Sequence, residues 1–295
     1  MVLTCTRLQA QESAAGSPME ASNIRVERNI RYGKPPHAGI KDSYYLLDLY
    51  SPGEINKPLP LIIVMHGGGF KLGSKKSNST PVFARSFAEQ GFICASINYR
   101  LSKKKPLSKF TDLAEGCYEA ISDLQQAIAF LKERSGEYQI DTSRIILAGN
   151  SAGGMMALQA VYSSPALLVP LFDSTAHQTL STEPFLRNIS AVVNCWGGIY
   201  DSVWMKNASV PVISIHGSKD RVVPIEYADS TVFGSAVIHR QLNRFCVQNQ
   251  LKLFDGIGHE LAKPFNPFWN GPASKKRCRE ASVIIAEFLS RQIKP

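Results

Sequence analysis

The sequence predicts an α/β fold, a mostly parallel eight-stranded sheet with helices on both faces. Three observations carry this. Short runs rich in β-formers alternate along the chain with longer segments whose apolar residues recur at helical spacing. Several of the short runs, such as "LPLIIVM" at 59–65, are apolar throughout, the pattern of strands buried on both faces. Most of them then pass directly into glycines and polar residues, as strands do that end at a ligand-binding edge. The 295 residues suit a single domain over 23–295, and their 44% hydrophobic content is ample for one large core.

The elements follow in order. "IRVERNIRYG" and "YYLLDLYSP" are separated by turn residues and read as an antiparallel pair. "LPLIIVMHGGGF" is a central strand ending in glycines. Residues 78–90 read as a helix and "GFICASINYRL" as the next strand. From Asp112 to about Arg134, Leu113, Cys117, Ala120, Ile121, Leu124, Ala127, Ile128 and Leu131 mark a helical face. "SRIILAGNSAGGMMALQAVY" is strand, sharp turn and helix, the helix stopping near Pro165 because the residue before a proline disfavours helix. "ISAVVNCWGGIYD", "VPVISIHGSKD" and "QLKLFDGIGH" supply three more strands, and 235–248 and 277–292 two more helices. Residues 163–188 are long for a connection, and read either as a small lid or as an irregular surface crossing.

Composition narrows the function classes. No stretch reaches the ~18 apolar residues of a membrane span. The net charge of +9 is concentrated in runs such as "KKK" at 103–105 and "KKR" at 275–277. No nucleic-acid motif accompanies them, so they read as solvated faces and no nucleic-acid partner is expected. The six histidines and six cysteines are dispersed, without zinc spacing, so no metal site is expected. Cys94 and Cys195 lie in strand patterns and read as buried thiols. Residues 1–22 read as a disordered tail or a signal-peptide remnant: "LQA" before Gln11 has a cleavage-site pattern, but the segment ahead of it is too short for an apolar core. This favours a periplasmic or secreted location.

The polar residues that follow strands are the candidates for chemistry. In "GNSAGG", Ser151 sits between Gly149 and Gly153, where a strand turns into a helix. That is the context of a nucleophile elbow: the turn projects the hydroxyl above the sheet, and glycines two residues away on either side avoid collision with the neighbouring strand and helix. "HGGGF" at 66–70 also ends a strand, and unencumbered glycine N–H groups suit an oxyanion site. Gly68 and Gly69, with the N–H of Ala152, are the expected donors, and Gly67 is the alternative. Asp201 and Asp220 are acids at strand ends, while Asp255 lies inside a strand pattern. His259 ends the last strand. His239 falls on a helix, His216 sits at a strand end as a packed residue, and His66 orients the glycine loop. Arg100 and Asp123, in the following helix, are candidates for a buried pair, and neither reads as catalytic.

"HGGGF", "INYRL", "GNSAGG", "HGSKDRVVP" and "GIGH" occur here in the order found in α/β-hydrolases of the HGGG type. From about residue 25 to its end the chain resembles the hormone-sensitive-lipase-like carboxylesterases and the bacterial feruloyl and acetyl esterases. The resemblance implies the α/β-hydrolase fold and a catalytic trio in the order Ser151, Asp220, His259. It implies a serine esterase that works through an acyl-enzyme, without a cofactor, on short-chain or aromatic acyl esters, including esters on carbohydrates. Serine peptidase and amide or formamide hydrolase are the alternatives on the same fold, and a non-catalytic binding module would be expected to lack one of the trio. The expected partner is a small-molecule or saccharide ester. Trp196 and Trp269, in aromatic loops beside the candidate trio, are the expected stacking surfaces.

Overall fold

The computed structural model describes residues 23–77, 79–173, 175, 180–228, 231–268 and 271–293. The tail at 1–22 and Trp269 therefore lie outside the described residues, as do 174 and 176–179 of the segment read as a lid. Eight strands form one sheet: β1 (Ile24–Arg31), β2 (Leu46–Pro52), β3 (Leu59–Met65), β4 (Ile93–Ile97), β5 (Ile140–Asn150), β6 (Ile189–Cys195), β7 (Val212–Gly217) and β8 (Asn249–Phe254). Their spatial order is β1-β2-β4-β3-β5-β6-β7-β8. β2 runs antiparallel to both β1 and β4, and every later pairing is parallel. Among the described residues, the helices of ten or more residues are α1 (Thr80–Glu89), α2 (Phe110–Glu133), α3 (Ala152–Tyr162), α4 (Ser235–Arg244) and α5 (Pro272–Gln292).

The continuous apolar strands resolve into two faces because successive side chains point to opposite sides of the sheet. Leu61, Ile63, Met65, Ile145 and Leu147 enter one core layer, with the buried faces of α2 and α3. Ile62, Val64, Ile146 and Ala148 enter the other, with α1 and α5. Cys94 and Cys195 are buried in the second layer. Arg100 Nε donates to both carboxylate oxygens of Asp123 at 3.0 Å, and Tyr45 Oη donates to the same carboxylate at 3.1 Å, fixing the β4–α2 connection onto α2.

Two helix boundaries differ from the sequence reading by four residues or more. α5 starts at Pro272, five residues before the expected 277. Pro272 occupies the first turn, where its missing N–H is no loss, and the basic run masks the buried face of Ser274, Cys278 and Ala281. α4 ends at Arg244, four residues before the expected 248, and Cys246 beyond it takes the left-handed φ of 55°. The described part of 163–188 holds a helical turn at Pro165–Leu168 that runs on into a 3₁₀ turn at Val169–Leu171, and it lays Phe172 and Phe185 against Tyr118 of α2. Among the described residues no helix is long and apolar enough to cross a membrane.

Candidate active site

The carboxyl ends of β3, β5, β6, β7 and β8 converge on Ser151. This serine holds φ 54° and ψ −118°, a left-handed strain that a non-glycine residue sustains only when its surroundings fix it. Its N–H donates to Cys195 O at 2.8 Å, and its carbonyl accepts from Met155 N as α3 begins. The flanking glycines are explained by close approach. A Cβ on Gly149 would overlap the Gly153 carbonyl, and one on Gly153 would overlap Met65 O of β3. The elbow is thus wedged between its own helix and the neighbouring strand, and any side chain at either position would push it open.

Three side chains meet there. Ser151 Oγ lies 3.0 Å from His259 Nε2, and His259 Nδ1 lies 2.8 Å from Asp220 Oδ2. All three are buried. With Nδ1–H donating to the carboxylate, Nε2 is left to accept the serine proton, the tautomer a general base needs. Asp220 Oδ1 accepts from the N–H groups of Val222 and Val223 at 2.8 and 3.0 Å. Burial alone would raise the Asp220 pKa, but hydrogen bonds from His216 and His259 outweigh it and hold the carboxyl far below the ordinary range. His216 Nε2 stands 3.3 Å from Asp220 Oδ2 and donates to Val223 O at 2.9 Å. Asp201 lies apart from this cluster and caps the turn after β6 by accepting from Val203 N at 2.8 Å. Asp255 falls just past β8, exposed, and accepts from Ser218 Oγ.

The glycine loop borders the serine. A Cβ on Gly67 would stand 3.1 Å from Ser151 Cβ, so Gly67 is in direct contact with the elbow. Gly68 at φ 107° makes a tight turn in which its carbonyl accepts from both Lys71 N and Leu72 N. No backbone hydrogen bond engages the N–H of Gly68 or Gly69 among the described residues. Ala152 opens α3, so its N–H has no carbonyl of its own helix to bond and adds the positive end of the helix dipole. His66 braces the loop from beneath. Its ring stacks on Tyr99 at 4.1 Å, and its Nδ1 meets Gly67 O at 2.7 Å.

The aromatic expectation needs correction. Trp196 is 0% exposed, at φ 42°, with its ring 6.1 Å from Phe83 in the core, so no sugar can stack on it. It underlies His259, edge-on at 6.5 Å. Among the described residues, an aromatic that faces outward at the site is Phe268, 63% exposed and edge-on to His259 at 6.0 Å. On the other side Leu107, 65% exposed, lies over Gly69 so closely that a Cβ there would overlap its Cδ2. Neither Phe268 nor Leu107 was singled out from sequence. Phe268 stands in "PFNPFWNGP" at 264–272, one residue before Trp269.

Known proteins place this geometry in context. A family model described as BD-FAE matches residues 47–209. Gut esterase 1 of Caenorhabditis briggsae is 34% identical over 117 residues, 40% of this chain and 21% of that protein. The probable carboxylic ester hydrolase LipM of Mycobacterium tuberculosis is 26% identical over 214 residues, 70% of this chain and 44% of that protein. The chain thus spans less than half the length of these two relatives. Among solved structures, a truncated carbohydrate esterase from gut microbiota superposes with a TM-score of 0.60 at 18% identity, covering 92% of this chain and 99% of that one. Esterase B from Lactobacillus rhamnosis, inhibited by a tributyrin phosphonate, gives 0.59 at 20%, covering 91% and 87%.

Proposed function

The chain belongs to the BD-FAE family of α/β-hydrolases, and on that premise we propose that it is a carboxylic ester hydrolase acting through Ser151, His259 and Asp220. The observation that carries the proposal is the buried relay of 3.0 and 2.8 Å from serine to histidine to carboxylate, at the carboxyl end of the central strands. His259 Nε2 takes the Ser151 proton as Oγ attacks the ester carbonyl. Asp220 holds the ring and stabilises the imidazolium so formed. The N–H groups of Gly68, Gly69 and Ala152, with Gly67 at the contact point, receive the oxyanion. His259 then protonates the departing alcohol, and water, deprotonated by the same nitrogen, releases the acid from the serine ester.

The proposed substrate is a short-chain or aromatic acyl ester, carried on a saccharide. Phe268 and Leu107 support the apolar acyl group, since they present exposed apolar surface on the His259 side and the glycine-loop side of the serine. The fold shared with a solved carbohydrate esterase supports the saccharide. The test is a panel of nitrophenyl esters of increasing chain length, an acetylated and a feruloylated oligosaccharide, and an anilide. The reading expects hydrolysis of short acyl esters and of at least one acylated saccharide. Cleavage of the anilide with no ester turnover would replace it with an amide hydrolase, and turnover of esters but of neither saccharide would remove the carbohydrate.

A further inference from the structure

Immediately after His259 the chain buries a second carboxylate. Glu260 is only 2% exposed. Its Oε1 accepts from Asn150 Nδ2 at 3.0 Å, and its Oε2 accepts from Ser79 Oγ at 3.1 Å. Asn150, which precedes the nucleophile, accepts in turn from Thr80 Oγ1 at 3.3 Å. The cluster therefore joins the base-bearing turn, the elbow and the start of α1. Both oxygens of Glu260 accept, the hydrogen-bond pattern of a carboxylate, yet both donors are neutral. No Lys, Arg or His nitrogen lies within 4.0 Å of this carboxylate among the described residues.

Two features make this arrangement costly to hold. A buried carboxylate without a cation loses its hydration for little return. Glu260 also holds φ 55° and ψ 23°, a left-handed backbone in which glycine would be unstrained. A glycine would relieve both. What the carboxylate offers in exchange is a hydrogen-bonded tie to Asn150 and a buried negative charge on the residue that follows the base, whose ring becomes cationic as Ser151 attacks.

On the esterase reading above, we propose that Glu260 is a positioning residue of this site. It clamps the elbow to the turn that carries His259, and its charge favours the imidazolium formed in the transition state. Other groups around it leave that role to Glu260. Cys195 and Cys278 are thiols pushed up chiefly by burial, Cys278 to about 12, with the Glu260 charge adding to both. Arg277 directs its Nη1 to Leu261 O at 2.7 Å. Asp220 binds the imidazole itself, at Nδ1.

Glu260→Gln separates the charge from the shape. Gln keeps a carbonyl for Asn150 and turns its amide to the Ser79 hydroxyl. The variant should lower kcat/KM for a nitrophenyl acetate about tenfold, and should move the acidic limb of the pH profile down by about 0.5–1 unit, because losing a negative charge destabilises the imidazolium. The swap Asn150→Asp with Glu260→Gln returns a carboxylate to the cluster, and should recover most of the rate and the limb. Rates are referred to active sites titrated by a fluorophosphonate, so that poor folding is not read as poor catalysis. A Glu260→Gln limb and rate within about twofold of the parent overturn the proposal, and so does a rate loss with an unmoved limb that the swap fails to rescue. If Glu260→Gln does not fold, the swap decides: a parental limb supports the role and a displaced one overturns it. Failure of the esterase reading is distinct, since the parent protein itself would then lack ester turnover.

Discussion

Lowering the pH should destabilise this protein through one buried ring, His66. Its imidazole is packed between the glycine loop and Tyr99, with Nδ1–H committed to Gly67 O and its own carbonyl accepting from Tyr99 Oη at 2.6 Å. Burial pushes the pKa of His66 down to about 4, against a smaller upward pull from the Gly67 carbonyl. In the unfolded chain the ring titrates near 6.5. Between these values the unfolded state holds a proton that the native state does not. Stability therefore rises with pH through the window and is lost as pH falls from about 6.5 to about 4. At about 1.4 kcal/mol per unit, the loss over the whole window is about 3 kcal/mol. Guanidinium unfolding at pH 7.5, 6.5, 5.5 and 4.5 on the parent and on His66→Gln isolates it. The stability difference, parent minus variant, should shrink by about 2.5 kcal/mol between pH 7.5 and 4.5, whatever its value at pH 7.5. Parallel pH profiles for the two proteins would refute the claim that His66 is held neutral by burial.

Other expectations follow from the site. Asp220→Asn should lower kcat by about 10⁴, by disturbing the tautomer and the imidazolium. Asp201→Asn should leave kcat within about twofold, because asparagine also caps a turn. Steady-state kinetics on one ester decides between the two acids, and a reversed outcome would transfer the role to Asp201. Phe268→Ala should reduce kcat/KM for a butyryl or cinnamoyl ester about tenfold and leave an acetyl ester nearly unchanged, as loss of an apolar wall predicts. An equal effect on both would make Phe268 a loop anchor.

Much of the architecture is legible in the chain because burial on both faces leaves a pattern. "LPLIIVM" and "IILA" at 145–148 are apolar at every position where a one-sided strand would alternate, and they lie in the β3 and β5 that pair at the centre. Ser151, Asp220 and His259 could be named because each closes or follows a strand, and parallel strands bring their carboxyl ends to one edge. What the chain hides is orientation and long-range pairing. Trp196 and Phe268 are both aromatics in loops next to His259, yet the positive φ of Trp196 turns it under the site while Phe268 faces solvent. Glu260 and Asn150 are 110 residues apart, and nothing local in "GHE" or "GNS" announces that they meet. The early start of α5 was hidden for a simpler reason: a basic run stands on the exposed side of its first turns.

The central claim is that Ser151 becomes covalently acylated. Reacting the protein with a fluorophosphonate and mapping the adduct by peptide mass spectrometry tests it most directly, with Ser151→Ala in parallel. The account predicts one adduct per chain, on the peptide bearing Ser151, and loss of both adduct and ester turnover in Ser151→Ala, with turnover down by about 10⁴ or more. An adduct on another residue, or ester turnover in Ser151→Ala near that of the parent, would contradict it.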